Sequence, residues 1–331
     1  MPSAAIQRIP LSVALPASLR GGVVAIGNFD GVHRGHQAVL QCALAEAERR
    51  GAPALVLTFE PHPRLVFRPE VPLFRITTAP VRARLLEALG FAAVVEQPFD
   101  RAFSRLDAEE FVARILARDL GVSHVVTGFD FHFGKDRQGN PDFLIAAGAR
   151  HGFGVSLVEA FRDEGCEVVS SSRVRALLAE GDVAGAAGLL GYRYTVEAGI
   201  AHGRKLGREL GFPTANMTLP EGNGLRHGIY AVRLRRADGS LHDGVASFGR
   251  RPTVTEDGAP LLETYLFDFS GDLYGETCRV SFFGFLRGEE KFGGLDALTA
   301  QMKRDEEEAR ALLSDARPLS ALDVRIAFSG I

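Results

Sequence analysis

Two histidines three residues apart, His33 and His36, end the run GNFDGVHRGH from Gly27, between a strand-like segment and the start of a helix. At such a junction the free backbone N–H groups and the helix dipole both favour an anion. Gly27, Gly31 and Gly35 let the chain turn tightly, and with Asn28, Phe29 and Asp30 they offer a backbone that can approach a ligand closely. The imidazoles project to one side and can donate to one phosphate chain. Zinc is the competing chemistry, but no Cys, His or Glu stands at ligand spacing to complete a site. A second candidate is VSSSRVR, which sets Ser171 and Ser172 at a helix start with Arg173 and Arg175 just inside. These hydroxyls form either a helix cap or, with Arg175, a second clamp on a triphosphate. The stretch GFDFHFGK, Gly128 to Lys135, has a Walker-like outline, yet its spacing is too long and Asp136 follows the lysine.

The second half carries different chemistry. In GRKLGRELGFPTANM, Gly203, Lys205, Gly207 and Arg208 can wrap phosphates or form an ordinary basic turn. Thr214 and Asn216 alternate, so in an extended segment they face one way and offer neutral oxygens suited to Mg²⁺. Glu263 shares one strand face with Tyr265 and Phe267. A carboxylate on an otherwise apolar strand is costly if it points inward unpaired, so it faces water or has a task.

The elements that must hold these groups follow two patterns. The 331 residues favour two domains at roughly 150 residues each. Strand and helix alternate in the first: strands at Val23–Gly27, Ala54–Glu60, Ala92–Val95, His124–Thr127 and Gly154–Val158, and helices at Gly35–Arg50 and Ala79–Leu89. Asp107 and Glu110 spell a capping box, and Asn140 with Pro141 a further helix start. This alternation implies a doubly wound, Rossmann-like α/β domain with a parallel sheet covered on both faces. After Gly191 strands follow one another without helical periodicity, at Tyr194–Ile200, Ile229–Arg235, Asp243–Phe248, Leu262–Phe269 and Thr277–Phe283, and a helix runs from about Leu295 to Ser314. That half is expected to be a small antiparallel barrel with a terminal helix. The boundary falls in the Gly- and Ala-rich stretch Gly181 to Gly191, a helix or a linker, which divides the chain into residues 1–187 and 188–331.

Composition narrows the partners. Hydrophobic residues are 46% and charged residues 24%, as in ordinary globular proteins. With 38 basic and 41 acidic residues the net charge of −3 gives no overall footprint for nucleic acid or an anionic membrane. Cys42, Cys166 and Cys278 have no close spacing, which fits a reducing cytoplasm rather than a disulfide framework. No apolar stretch reaches the ~18 residues of a membrane span. Ile9 to Leu19 is the nearest approach to a signal-peptide core, but Pro10 and Pro16 interrupt it.

The run GNFDGVHRGH followed by SSSRVR resembles the histidine-signature nucleotidyltransferases, and with TFEPHP and GFDFHFG between them it is similar to the FMN adenylyltransferase half of the bacterial bifunctional riboflavin kinase/FAD synthetase family. GRELGFPTAN, GIYAV, GVASFGRRPT, DLYGE, FLRGEEKF and QMKRD, in that order, resemble its riboflavin kinase module. The resemblance spans residues from about 20 to 313. It implies a six-stranded Greek-key barrel for the second half. It also implies ATP phosphates on His33 and His36, Gly128 and Asp130 among the nucleotide contacts, Ser171, Ser172 and Arg175 completing the clamp, and Glu60 and His62 near the flavin. Thr214 and Asn216 would be metal and ATP ligands and Glu263 the catalytic base. His132 stands where the family often has Arg, Ser172 where it often has Thr, and Ser247 and Phe248 where Asn and Ile are expected.

The activities implied are phosphorylation of riboflavin to FMN and adenylylation of FMN to FAD, each using Mg·ATP, with no nucleic acid, membrane or obligatory protein partner. Nucleotidyl transfer to another phosphorylated metabolite, with a barrel that only binds flavin, is the first alternative. A flavin-sensing protein that has lost catalysis is the second.

Overall fold

Unbroken apolar runs such as Val23–Ile26 and Ala54–Glu60 suit strands covered on both faces, and nearly every residue of these two is buried. The computed structural model describes residues 6–201, 214–250 and 260–328. Its strands β1 (Gln7–Pro10), β2 (Val23–Ile26), β3 (Ala54–Glu60), β4 (Ala93–Pro98), β5 (His124–Gly128) and β6 (Gly154–Val158) form one sheet, in the order β1-β4-β3-β2-β5-β6. Every neighbouring pair is parallel. The segment with a partial signal-peptide outline thus begins in an edge strand, where Arg8 makes a two-pronged ion pair with Glu96 at 3.0 Å. The order reverses between β2 and β5, and ligands bind open α/β sheets beyond the carboxyl ends of the strands at such a switch point. The glycine turn after β2 and the GFDF turn after β5 both lie there.

Helices α1 (Arg34–Arg50), α2 (Pro63–Phe67) and α3 (Ala79–Leu89) follow β2 and β3. Helix α4 opens on Ala108–Glu110 with the expected capping box on Asp107 and runs on through Phe111–Leu120 to a left-handed Gly121. Helix α5 (Pro141–His151) starts on the Asn140 cap. Two helices follow, α6 (Ser171–Glu180) and α7 (Val183–Leu190), so the glycine- and alanine-rich stretch contains a helix rather than a linker.

Antiparallel strands β7 (Thr195–Ala201), β8 (Thr214–Thr218), β9 (Gly228–Arg235), β10 (Leu241–Arg250), β11 (Pro260–Leu266) and β12 (Thr277–Arg287) close a barrel in the order β10-β11-β8-β7-β12-β9. Strands β9 to β11 are a meander and β8 lies beside β11, which is the Greek-key arrangement. The strand expected to reach Phe269 stops at Leu266 because Asp268 takes a left-handed φ of 54°. Inside the barrel Ile200, Met217, Leu262 and Phe248 face one another in register. Outside, α8 (Leu295–Asp315) packs Ala309 and Leu313 on Ala231 and Phe283, with Tyr265 and Val245 at the edge of that cluster.

The chain divides into two compact units, one of residues up to Leu73 with Arg82–Ser170, the other of Phe74–Val81 with residues from Ser171 onward. Helices α6 and α7 therefore group with the barrel. Arg226 donates to the carbonyls of Leu178 and Glu180 at the end of α6, and its guanidinium lies over Phe285 of β12. Beyond α8 the chain folds back as α9 (Ala321–Asp323), continued by Val324–Phe328. Asp323 is fully buried and accepts from the Arg193 backbone and guanidinium and from the Leu319 N–H. Buried Arg235 meets carbonyls of Gly239, Arg325 and Ile326, and burial pushes its pKa down to about 10.

Two outcomes are expected. Asp323→Asn removes the buried carboxylate that balances the largely covered Arg193 and should lower unfolding free energy by about 3–5 kcal/mol in urea titrations. A fragment beginning at Ser171 should melt at a higher temperature than one beginning at Leu189, since the second loses the buried face of α7 and the carbonyls that hold Arg226.

Candidate active sites

The turn after β2 is conformationally unusual. Phe29, Gly31 and Val32 have φ of 49°, 88° and 40°, so two non-glycine residues sit in the left-handed region. Such strain persists only where surroundings over-determine it. Phe29 and Val32 are both buried, and the Phe29 ring lies so close over Gly27 that a Cβ there would meet it at 3.0 Å. The Asn28 carbonyl accepts from Thr58 Oγ1 and Arg82 Nη1, each at 3.3 Å, and the Val32 carbonyl accepts from Gln37 Nε2 at 2.8 Å.

His33 and His36 are brought together as the spacing implies. His33 caps α1 through Nδ1, which accepts the His36 N–H at 3.3 Å. The proton of a neutral His33 ring is therefore on Nε2, which makes that nitrogen the donor. The two rings stack with centroids 3.6 Å apart, and His36 also meets the edge of Phe29. Asp30 is buried in the same turn. Across the switch point, Gly128 ends β5, and Asp130 is exposed with its carboxylate near Gly128. His132 folds back on the Asp130 carbonyl at 2.8 Å.

Glu60 ends β3, and its carboxylate accepts from Arg82 at 2.8 Å. Arg82 is only 1% exposed and also lies 3.6 Å from Glu96, so Arg8, Glu96, Arg82 and Glu60 alternate in charge. His62 caps α2, accepting the Arg64 N–H through Nδ1. The reading of the residues missed Arg82, Thr58 and Gln37. Arg82 did leave a signal: it precedes Leu85 and Leu86 by three and four residues, on the buried face of α3.

In the barrel unit, Ser171 and Ser172 open α6 and Arg175 lies one turn in, its Nε donating to the Phe74 carbonyl at 2.6 Å. These three belong to the second unit and the histidine pair to the first. Gly203, Lys205, Gly207 and Arg208 lie outside the described residues. Thr214 and Asn216 lie on one face of β8. Glu263 stands in register with Asn216 on one side and Ser247 on the other, so these three form a row across β8, β11 and β10. The adjacent row holds Thr214, Tyr265 and Val245, whose apolar members pack toward α8. Asn216 donates to the Thr214 carbonyl at 3.2 Å. One face thus joins a hydroxyl, an amide and a carboxylate, oxygen donors that fit a hard divalent cation. Among the described residues there is no group of three or more His, Cys, Asp or Glu to hold a metal. The two barrel departures separate here: Ser247 lies in the Glu263 row, whereas Phe248 is inside the barrel.

Comparison with known proteins bears on both clusters. The family model for FAD synthetase matches residues 15–173, and that for riboflavin kinase matches residues 190–313. A bifunctional riboflavin kinase/FMN adenylyltransferase from Pseudomonas fluorescens is 43% identical over 88% of this chain and 93% of its own. One from Escherichia coli K12 is 38% identical over 91% and 96%, and one from Bacillus subtilis 36% identical over 89% and 93%. A crystal structure described as a macrolide-efflux protein from Streptococcus pneumoniae superposes with a TM-score of 0.81 at 31% identity, covering 92% of this chain and 99% of that one. No described helix of the chain is long and apolar enough to cross a membrane.

Proposed function

The chain belongs to the bifunctional riboflavin kinase/FMN adenylyltransferase family, and we propose how its residues divide the two reactions. It phosphorylates riboflavin with ATP to give FMN, then transfers AMP from a second ATP to FMN, giving FAD and pyrophosphate. We assign adenylyl transfer to residues 1–187 and phosphorylation to residues 188–331.

In the kinase reaction a ribityl hydroxyl attacks the γ-phosphorus of ATP and ADP leaves. The hydroxyl is a weak nucleophile at neutral pH and needs a base. Glu263 is that base. Its register between Asn216 and Ser247 is the observation that carries this assignment, since it puts a carboxylate beside the oxygens read as a cation site. Thr214 and Asn216 would hold Mg²⁺, which would supply charge neutralisation at the ATP phosphates. Gly203, Lys205, Gly207 and Arg208 are assigned to the phosphates on their sequence pattern alone.

Adenylyl transfer needs no such base. The FMN phosphate has a second pKa near ~6, so an oxygen already ionised attacks the α-phosphorus while pyrophosphate departs. The site must hold the triphosphate and absorb the charge on the leaving group. His33, through Nε2, and His36 meet that need, with the backbone of Gly27, Asn28, Phe29 and Asp30 beneath them. Gly128 and Asp130 would contact the nucleotide, Ser171, Ser172 and Arg175 would complete the clamp, and Glu60 and His62 would border the flavin. The stacked histidines at the carboxyl end of β2 support this assignment most strongly. We place the enzyme in the cytoplasm, supported by three cysteines without close spacing.

Glu263→Gln should slow riboflavin phosphorylation by about 10²- to 10⁴-fold while leaving adenylylation of supplied FMN intact. Product chromatography with Mg²⁺ and ATP checks both, and equal loss of the two activities would overturn the assignment. His33→Ala and His36→Ala should do the reverse, and an unchanged rate of pyrophosphate release from FMN and ATP would refute their role.

A further inference from the structure

A turn that receives phosphate has to keep its carbonyl oxygens off the anion. In a trans peptide the C=O and the next N–H point to opposite sides, so fixing one fixes the other. The Asn28 carbonyl is fixed by Thr58 Oγ1 and Arg82 Nη1, which sends the Phe29 N–H the other way. Among the described residues nothing accepts from that N–H. Gln37 fixes the Val32 carbonyl and thereby the direction of the His33 N–H.

We propose that Arg82, with Thr58, is a positioning residue of the adenylyl-transfer site: it ties back the Asn28 carbonyl so that the Phe29 N–H is held ready for a phosphate oxygen of ATP. The inference rests on the reading of this turn as the triphosphate site. Arginine suits the task because its planar fork meets two acceptors at once, Asn28 through Nη1 and Glu60 through Nη2. The pairing with Glu60 and Glu96 balances a charge taken almost wholly out of water. A guanidinium that served only to neutralise those carboxylates would not need the third contact to a neutral carbonyl.

Lysine keeps the charge but cannot span both acceptors. Arg82→Lys should therefore remain folded and raise the KM for ATP in FMN adenylylation by about 10- to 100-fold, the worth of one hydrogen bond to a charged group. Riboflavin phosphorylation by the same preparation should stay at parent values, and in Thr58→Val, which leaves the Arg82–Glu60 pair intact, so should the KM for FMN. Thr58→Val removes the second donor without touching charge and should shift the ATP KM in the same direction, with the double variant less than additive because both act through one carbonyl. Arg8→Gln, which breaks the same line of charges away from the turn, should leave the ATP KM unchanged. An unaltered ATP KM in folded Arg82→Lys, or a KM rising equally for both substrates in Thr58→Val, overturns the proposal. If Arg82→Lys does not fold, Thr58→Val decides alone by the same criterion. Intact adenylylation in the His33 and His36 variants would instead overturn the reading on which the proposal rests.

Discussion

The polarity of the backbone sets both sites. A peptide shows its oxygen and its hydrogen to opposite sides, and a strand sends successive side chains to opposite faces. In the first unit this makes the turn after β2 either a ring of donors or a ring of acceptors, depending on what holds its carbonyls. Phe29 and Val32 take left-handed backbone conformations there, and their buried side chains keep the turn in place. In the barrel the same alternation puts Met217, Leu262 and Phe248 in the interior while Asn216, Glu263 and Ser247 share the outer face. A register slip of one residue between β8 and β11 would bury Glu263 and dismantle that row.

Buried charge is treated alike in both units. Arg82 lies between Glu60 and Glu96, and Arg193 is matched by Asp323. Arg235 takes carbonyl oxygens where the last helical segment ends, a place where the helix dipole is negative. Replacing such groups by apolar side chains need not destabilise a fold, whereas removing one partner does. Their value is therefore directional. Arg82 fixes which way a loop carbonyl points, and Arg193 with Asp323 fixes where the chain after α8 lies against the barrel.

Much of this was legible because hydrophobic period and cap chemistry are local. The capping box at Asp107, the Asn140 cap and the limits of α3 and β3 follow from a few neighbouring residues. β1 was not legible, since Gln7–Pro10 is short, mostly exposed and defined by its pairing with β4. Neither was the grouping of α6 and α7 with the barrel, which depends on Arg226 reaching back to the end of α6. At the sites, the histidine pair could be read from spacing, as could the shared face of Thr214 and Asn216. The position of Glu263 beside Asn216 could not, because the register of two strands distant in sequence is a tertiary fact. Arg82 is the middle case: a charge on an apolar helical face shows that something must pair with it, but not what.

The two clusters differ as their reactions require. A hydroxyl must lose a proton to become a nucleophile, so a kinase site without a base would bind its substrates and turn over slowly. A phosphate monoester near neutral pH is already an anion, and a carboxylate beside it would repel it. In the first unit Glu60 and Glu96 are engaged by Arg82 and Arg8, so these two carboxylates are balanced by cations in place. In the barrel, by contrast, Glu263 lies in a row with an amide and a hydroxyl. On the proposed assignment, this contrast separates a site that makes a nucleophile from one that receives it ready-made.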